Sequence, residues 1–375
     1  MKYIKMFDSV SDMESALASS TISVLGMAMD GNTPVVGIEV VEPTPPGPDP
    51  TTPFYIEDVS GSDNTIQMII NKQNSSASQI QNTIYKSTDG ITWESAGTTS
   101  STAVLEIVVP ANSRLYLRCR PSNLKWGDGS NYNYVYDATG NYAIGGNINS
   151  LLYGDTFNGQ TEFPNNIGTY VFFRLFSKGS SGTNPKLVDV SNLLLPTTTL
   201  TYGCYSRMFN KCISLTTAPA LPATTLAQAC YQGMFNGCTG LTTAPTLPAT
   251  TLAEACYEEM FNGCTGLTTA PTLPATTLAN GCYRIMFQNC TSLTTAPELP
   301  ATTLATYCYV SMFSGCTNLN YIKCLATNIS ATSCTNLWVL NVAASGTFVK
   351  AASMSDWTTG TNGIPEGWTV QDATD

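Results

Sequence analysis

Thirteen cysteines and not one histidine set the limits of the chemistry open to this chain. General acid–base and triad catalysis most often rely on imidazole. A cysteine nucleophile needs a base beside it to become a thiolate. The cysteines here are spaced for something else. Cys204, Cys230, Cys256, Cys282 and Cys308 follow one another at a constant step of 26 residues, and Cys212, Cys238, Cys264, Cys290 and Cys316 repeat that step eight residues later. No C-x-x-C pair accompanies them, so zinc is not expected. Free cysteine is among the most buried residue types, so two columns of it at repeat positions read as buried thiols rather than disulfides. Glu258 and Glu259 are neighbours on one turn, not carboxylates converging across a cleft. Neither a Walker phrase nor G-x-G-x-x-G is present. Asp128 and Asp137, near the Gly127-Asp128-Gly129 stretch, are a weak pair of calcium ligands. The expectation is a protein that is not an enzyme and takes no cofactor.

The elements that position the cysteines form a unit recurring from Leu195 to Leu319, readable as L-P-A-T-T-L-A-x-x-C-Y-x-x-M-F-x-G-C-T-x-L-T-T-A-P-x. A fixed period in the range of 20–50 residues means a stacked array in which each unit meets the same neighbours. In the copy from Leu241, Leu241-Thr242-Thr243-Ala244-Pro245 is a short extended run closed by proline, and Thr250-Thr251-Leu252 suits a second short strand. Cys256, Met260 and Phe261 stand at i, i+4 and i+5, which predicts one side of a short helical turn ended by Asn262-Gly263. Leu, Met, Phe and Cys columns are then the core, with threonines on the solvent side. At about 4.8 Å per stacked strand, five clear copies predict a rod roughly 25 Å long.

Two pairs of positions change from copy to copy. After each Cys-Tyr they are Ser206-Arg207, Gln232-Gly233, Glu258-Glu259, Arg284-Ile285 and Val310-Ser311. Before each cysteine they are Tyr202-Gly203, Gln228-Ala229, Glu254-Ala255, Asn280-Gly281 and Thr306-Tyr307. Positions free to change inside a strict repeat are expected to be exposed. Tyr202, Arg207, Gln228, Gln232, Glu254, Glu258, Glu259, Arg284 and Tyr307 are therefore the candidate recognition surface; ordinary solvated surface is the competing reading.

The phrase Cys-Tyr-x-x-Met-Phe-x-Gly-Cys-Thr-x-Leu resembles the BspA-type leucine-rich repeat of bacterial surface and phage proteins, although that family's unit is commonly somewhat shorter. The resemblance covers 195–319 and weakens on both sides. It implies a right-handed leucine-rich-repeat solenoid used for adhesion, without catalysis.

The rest of the chain divides at changes of pattern. Residues 1–42 read as a small αβ module with strands at Ile4–Phe7, Ser23–Met29 and Val35–Val41. A helix opens on the Ser11-x-x-Glu14 capping box. This opening resembles N-terminal segments on virion proteins of phages infecting gut Bacteroidota, which makes Tyr3, Ile4, Met6 and Phe7 candidate anchoring residues. Residues 43–53 are a proline-rich spacer favouring polyproline II. Residues 54–146 read as a β-sandwich with strands at Phe54–Val59, Thr65–Ile70, Asn82–Ser87, Val104–Val109, Arg114–Arg120 and Tyr132–Tyr136. A tight turn at Asp89-Gly90 places Trp93 in the core. This stretch resembles Ig-like modules. Trp126, Tyr132, Tyr134 and Tyr136 either stack on sugars or pack on their own domain. Residues 147–194 are degenerate entry repeats, with Phe157-Asn158-Gly159 and Phe172–Gly179 echoing the Phe-x-Gly phrase. Residues 320–375 are a C-terminal cap, with Trp338–Val342 and Thr347–Val349 as final strands and Trp357, Ile364 and Trp368 closing the apolar end. The fold class is thus mainly β.

A formal charge of −10 argues against nucleic acid as a partner. No window approaches 18 consecutive apolar residues, so no membrane span is expected. The N-terminus lacks the apolar run and cleavage site of a signal peptide, so the expected place is the cytoplasm or release by lysis. Together with the resemblances, this points to a phage head or tail fibre or decoration protein in the virion. Capsid or tail proteins would bind its N-terminus and a bacterial surface receptor or glycan its solenoid. A homo-oligomer, trimer or dimer, is expected because avidity adds weak sites. The alternative is an exported BspA-type adhesin of the bacterial cell surface.

Overall fold

The computed structural model describes residues 4–5, 22–30, 33–40, 48–71, 81–119, 126, 132–165, 167–178, 182–355 and 357–374. The chain is mainly β. Among the described residues, regular helix is confined to α1 (Ser150–Tyr153) and the 3-10 turn Gly154–Thr156 that follows it. No helix there is long and apolar enough to cross a membrane. The fold divides into two compact units, Met1–Asp49 and Pro50–Asp375.

The first unit has an antiparallel sheet in the order β1-β3-β2, from β1 (Ile4–Lys5), β2 (Ile22–Asp30) and β3 (Thr33–Val40). Strands β2 and β3 pair up to Asp30 opposite Thr33. The capping box and its helix lie outside the described residues, as do Tyr3, Met6 and Phe7. Ile4 is in β1.

The second unit begins with two sheets. One is β10-β5-β8, from β5 (Asn64–Asn71), β8 (Leu105–Val109) and β10 (Tyr132–Ala138). The other has six strands in the order β12-β11-β4-β9-β6-β7. Its members are β4 (Tyr55–Asp58), β6 (Thr83–Ser87), β7 (Glu94–Thr98), β9 (Arg114–Cys119), β11 (Tyr142–Asn147) and β12 (Leu187–Leu194). Alternation explains the packing. Leu115, Leu117 and Cys119 of β9 point inward while Arg114 faces water. Ile56, Ile84 and Leu117 of one sheet meet Met68 and Val135 of the other around a small internal void, so the two sheets face each other.

Two boundaries differ from those expected. β11 runs across position 146 and pairs in parallel with β12, so the six-stranded sheet extends to Leu194. The end of the proline-rich stretch is not a free spacer. Pro53 bridges Asn147, whose amide donates to the Pro50 carbonyl at 3.1 Å and whose N–H donates to Thr52 at 2.9 Å.

From Leu195 the chain winds into coils that lie on one another in register. The Tyr205 N–H donates to the Cys230 carbonyl, Tyr231 to Cys256, Tyr257 to Cys282, Tyr283 to Cys308 and Tyr309 to Cys334, at 2.8 to 3.2 Å. The expected short strands are reduced to single parallel bridges, such as Thr243 with Thr269 and Thr251 with Thr277.

The segment expected to be a helical turn is not helical. Around Cys256, alternate N–H groups do different work. Those of Cys256, Glu258, Met260, Asn262 and Cys264 bond three residues back within the coil. Those of Ala255, Tyr257, Glu259, Phe261 and Gly263 bond carbonyls of the next coil. The result is a run of consecutive β-turns that leaves no backbone donor idle. It needs a left-handed residue every fourth position, seen at Ala255 (φ 52°), Glu259 (φ 57°) and Gly263 (φ 73°). Every fourth residue still falls on one side, which is why Cys256, Met260 and Phe261 are all fully buried.

The core of the array is two aromatic columns. Tyr205, Tyr231, Tyr257, Tyr283 and Tyr309 stack with centroids 5.8 to 6.2 Å apart. Phe209, Phe235, Phe261, Phe287 and Phe313 stack at 5.6 to 5.8 Å. Both columns continue back into Phe172–Phe176: Phe172 stacks on Tyr205 and Phe176 on Phe209. At the other end Trp338–Val342 is a turn rather than a strand. The Trp338 indole stacks on Tyr309 and leans on Phe313, so one ring closes both columns. Trp357 stacks on Trp338 in turn. The parallel sheet of β13 (Tyr321–Cys324), β14 (Thr347–Lys350) and β15 (Thr369–Asp372) completes the end, with Ile364 and Trp368 buried as expected.

Candidate recognition face of the repeat array

All thirteen cysteines are free thiols and buried. The second column has a specific role. Cys238 donates its Sγ–H to the Phe209 carbonyl of the preceding coil at 3.0 Å, and Cys264, Cys290 and Cys316 do the same to Phe235, Phe261 and Phe287. Each of those carbonyls also accepts the N–H three residues on, so both its lone pairs are used. Burial pushes the thiols up, to about 12 for Cys238 and Cys316. They stay protonated and able to donate, and are poor nucleophiles for the same reason.

The variable side chains divide into two sets. Tyr202, Gln228, Glu254 and Asn280, two residues before the cysteines, are exposed. Their backbone carbonyls are tied into the ladder, accepting from Tyr170, Gly203, Ala229 and Ala255 of the preceding coils, so only their side chains face water freely. Tyr307 is 47% exposed. Tyr202 meets Tyr170 edge-on at 5.0 Å, which extends this row to the entry coil.

The set after Cys-Tyr is not free surface. Ser206 and Glu258 are buried, against the expectation of exposure. The Glu258 carboxylate accepts from Gln232 Nε2 at 3.1 Å on one side and from Arg284 Nε at 2.7 Å on the other. Each partner is one coil away, and Arg284 also forms an ion pair with Glu258. Arg207 reaches across two coils to Glu259 at 2.7 Å. Gly233 leaves room for that reach, since a Cβ there would stand a tight 3.2 Å from Arg207 Cγ. Asn236 Nδ2 adds a longer bond to Glu259 at 3.4 Å. Arg207, Gln232, Glu258, Glu259 and Arg284 thus form a polar seam along the array. Asn236 was not among the residues singled out, although its spacing of 26 from Asn210 and Asn262 marks it as a repeat column.

Two of the aromatic candidates, Trp126 and Tyr132, resolve towards packing. Trp126 is 1% exposed and donates Nε1 to the Leu151 carbonyl at 2.8 Å, and Tyr132 is buried. Trp93, expected in the core, is half-buried with the Arg118 guanidinium 4.2 Å above its ring. Asp137 pairs with Lys178 at 2.8 Å, which uses a carboxylate considered for calcium; Asp128 lies outside the described residues. No family model, curated protein or solved structure matches this chain.

Proposed function

We propose that this chain is a structural and adhesive protein of a phage virion, a head or tail fibre or decoration protein. Its N-terminal unit attaches to capsid or tail proteins, and its repeat array, a BspA-type right-handed leucine-rich-repeat solenoid behind an Ig-like sandwich, meets the bacterial surface. One observation carries the reading: coil after coil keeps the same buried columns while the outward side chain changes from Tyr202 to Gln228, Glu254 and Asn280. Such a scaffold varies its contacts without varying its fold. The buried, protonated thiols and the paired carboxylates of the seam offer no reacting group, which supports a binding role over a catalytic one.

The test has two parts. Mass spectrometry of purified particles is expected to find the chain at a stoichiometry set by virion symmetry. Fluorescently labelled full chain is expected to bind host cells, and a Glu254→Lys, Asn280→Lys, Tyr307→Ala variant to bind them at least about tenfold more weakly. Absence from particles refutes the virion reading. Undiminished binding by the variant refutes the assignment of the face.

A further inference from the structure

We infer that Asn158 is a site of spontaneous covalent modification. Its side-chain amide is lost through a succinimide formed with Gly159, while the other Asn-Gly pairs of the chain are held against the same reaction. The inference stands whether or not the repeat face is a receptor surface.

Five such pairs occur: Asn158-Gly159, Asn236-Gly237, Asn262-Gly263, Asn280-Gly281 and Asn362-Gly363. Glycine has no Cβ to hinder attack by its own backbone nitrogen, which makes these the pairs most open to this chemistry. The glycine nitrogen gives up its proton and attacks the asparagine Cγ. A C–N bond forms, Nδ2 takes a proton and leaves as ammonia, and a five-membered imide remains. Solvent water then opens the imide at either carbonyl, giving aspartate or isoaspartate. Nothing is oxidised or reduced, and water is the co-reactant. The step needs a glycine N–H free to lose its proton and an asparagine side chain free to turn towards it.

Four pairs fail the first requirement. The Gly237 N–H donates to the Asn262 carbonyl at 2.7 Å, Gly263 to Gln288 at 2.8 Å and Gly281 to Thr306 at 2.9 Å, each on the next coil. The Gly363 N–H donates to Gly360 at 3.0 Å. Two fail the second as well: Asn236 Nδ2 bonds Glu259 at 3.4 Å, and Asn362 Oδ1 accepts from the Leu337 N–H at 2.6 Å. Attack at any of the four must wait for a local opening.

Asn158-Gly159 meets both. The pair is exposed, on the turn that follows Gly154–Thr156. The Gln160 N–H closes that turn on the Phe157 carbonyl at 3.2 Å, and among the described residues the Gly159 N–H has no acceptor and the Asn158 side chain no partner. Both ends of the turn are anchored, because Phe157 is buried and the Gln160 carbonyl accepts from Asn149 Nδ2 at 3.1 Å. A change at the tip leaves its flanks in place.

Asn280-Gly281 is the comparison that isolates the cause. Asn280 is exposed too. Both glycines are left-handed, φ 76° at Gly159 and 59° at Gly281, with open space where a Cβ would stand. The bond from Gly281 to the next coil is what separates them.

The experiment incubates the full chain in mildly alkaline buffer, with and without urea. Peptide mapping follows, by mass spectrometry that separates isoaspartate from aspartate. In the folded chain the Asn158 peptide is expected to convert at least about tenfold faster than the Asn280 peptide, the worth of one backbone hydrogen bond. In urea the two are expected to convert at similar rates. Gly159→Ala is expected to slow conversion at Asn158 by about tenfold or more, since its Cβ stands in the path of attack. Equal rates at Asn158 and Asn280 in the folded chain, or an Asn158 that stays intact where the unfolded chain converts, overturn the inference. A difference between the two that persists in urea overturns it too, because local sequence would then be the cause.

Discussion

The thiol columns make the array sensitive to alkali, and the sign follows from burial. In the unfolded chain a cysteine ionises near pH 8.5. In the fold, desolvation raises the thiols well above that, to about 12 for Cys204, Cys238, Cys316 and Cys324. An acid whose folded pKa is raised contributes its full stability below the unfolded value. It loses that stability as pH rises towards the folded value. Each thiol then costs about 1.4 kcal/mol per pH unit above roughly pH 9. A coil carries two, so its loss is about 3 kcal/mol per unit, and a dozen thiols lose about 16 kcal/mol per unit. Native domains have about 5–15 kcal/mol in hand. The whole array should therefore collapse within about one pH unit. The assay is a pH titration of the full chain under anaerobic conditions, reading thiolate absorbance near 240 nm beside circular dichroism. The two signals are expected to change together in one steep step above pH 9. Thiolate absorbance that rises gradually from about pH 8.5 with native dichroism would refute the argument, because the thiols would then be reachable by water in the fold.

Further outcomes follow from single positions. Phe261 is fully buried between Phe235 and Phe287, so Phe261→Ala should cost about 3–5 kcal/mol in urea unfolding. Gly263→Ala should cost about 1 kcal/mol from its φ of 73° alone, since a Cβ meets nothing nearer than 3.7 Å. Gly266→Ala should cost about 2–3 kcal/mol, since its Cβ would lie 2.5 Å from the Thr239 carbonyl oxygen. Glu258→Ala should cost about 2 kcal/mol by stranding Gln232 and Arg284, and adding Arg284→Ala should recover part of it in a double-mutant cycle. Trp338→Ala opens both aromatic columns at one end; hydrogen exchange should quicken around Tyr283 and Tyr309 well before Tyr205.

The period of 26 was plain in the sequence because buried columns tolerate few residues, and so were most sandwich strands. β7 escaped notice: Glu94-Ser95-Ala96-Gly97-Thr98 is an edge strand with no apolar alternation. The expected helical turn differs from the observed one for a definite reason. A helix and a chain of four-residue turns both return Cys256 and Met260 to one side. What separates them is the recurring left-handed residue, at which glycine stands only in some copies, as at Gly203, Gly233, Gly237, Gly263, Gly281 and Gly315. The face was half legible. A varying position reads as exposed, yet Glu258 varies and is buried, because its partners 26 residues away, Gln232 and Arg284, complement it. Trp93 looked like core since tryptophan usually is, and no pattern in sequence revealed that Arg118 would support it from one side.

Within the repeats, the alternate backbone N–H groups of each turn run find their acceptor 25 residues onward, as Glu259 finds Arg284 and Tyr257 finds Cys282. A gene that gains or drops one whole unit by unequal recombination therefore keeps the backbone ladder between coils intact, while side-chain pairs such as Glu258 with Arg284 depend on which unit is involved. The protein becomes longer or shorter by one rise of about 4.8 Å. An insertion of any other length throws the donors out of step. Reach thus becomes a trait that can change in quanta.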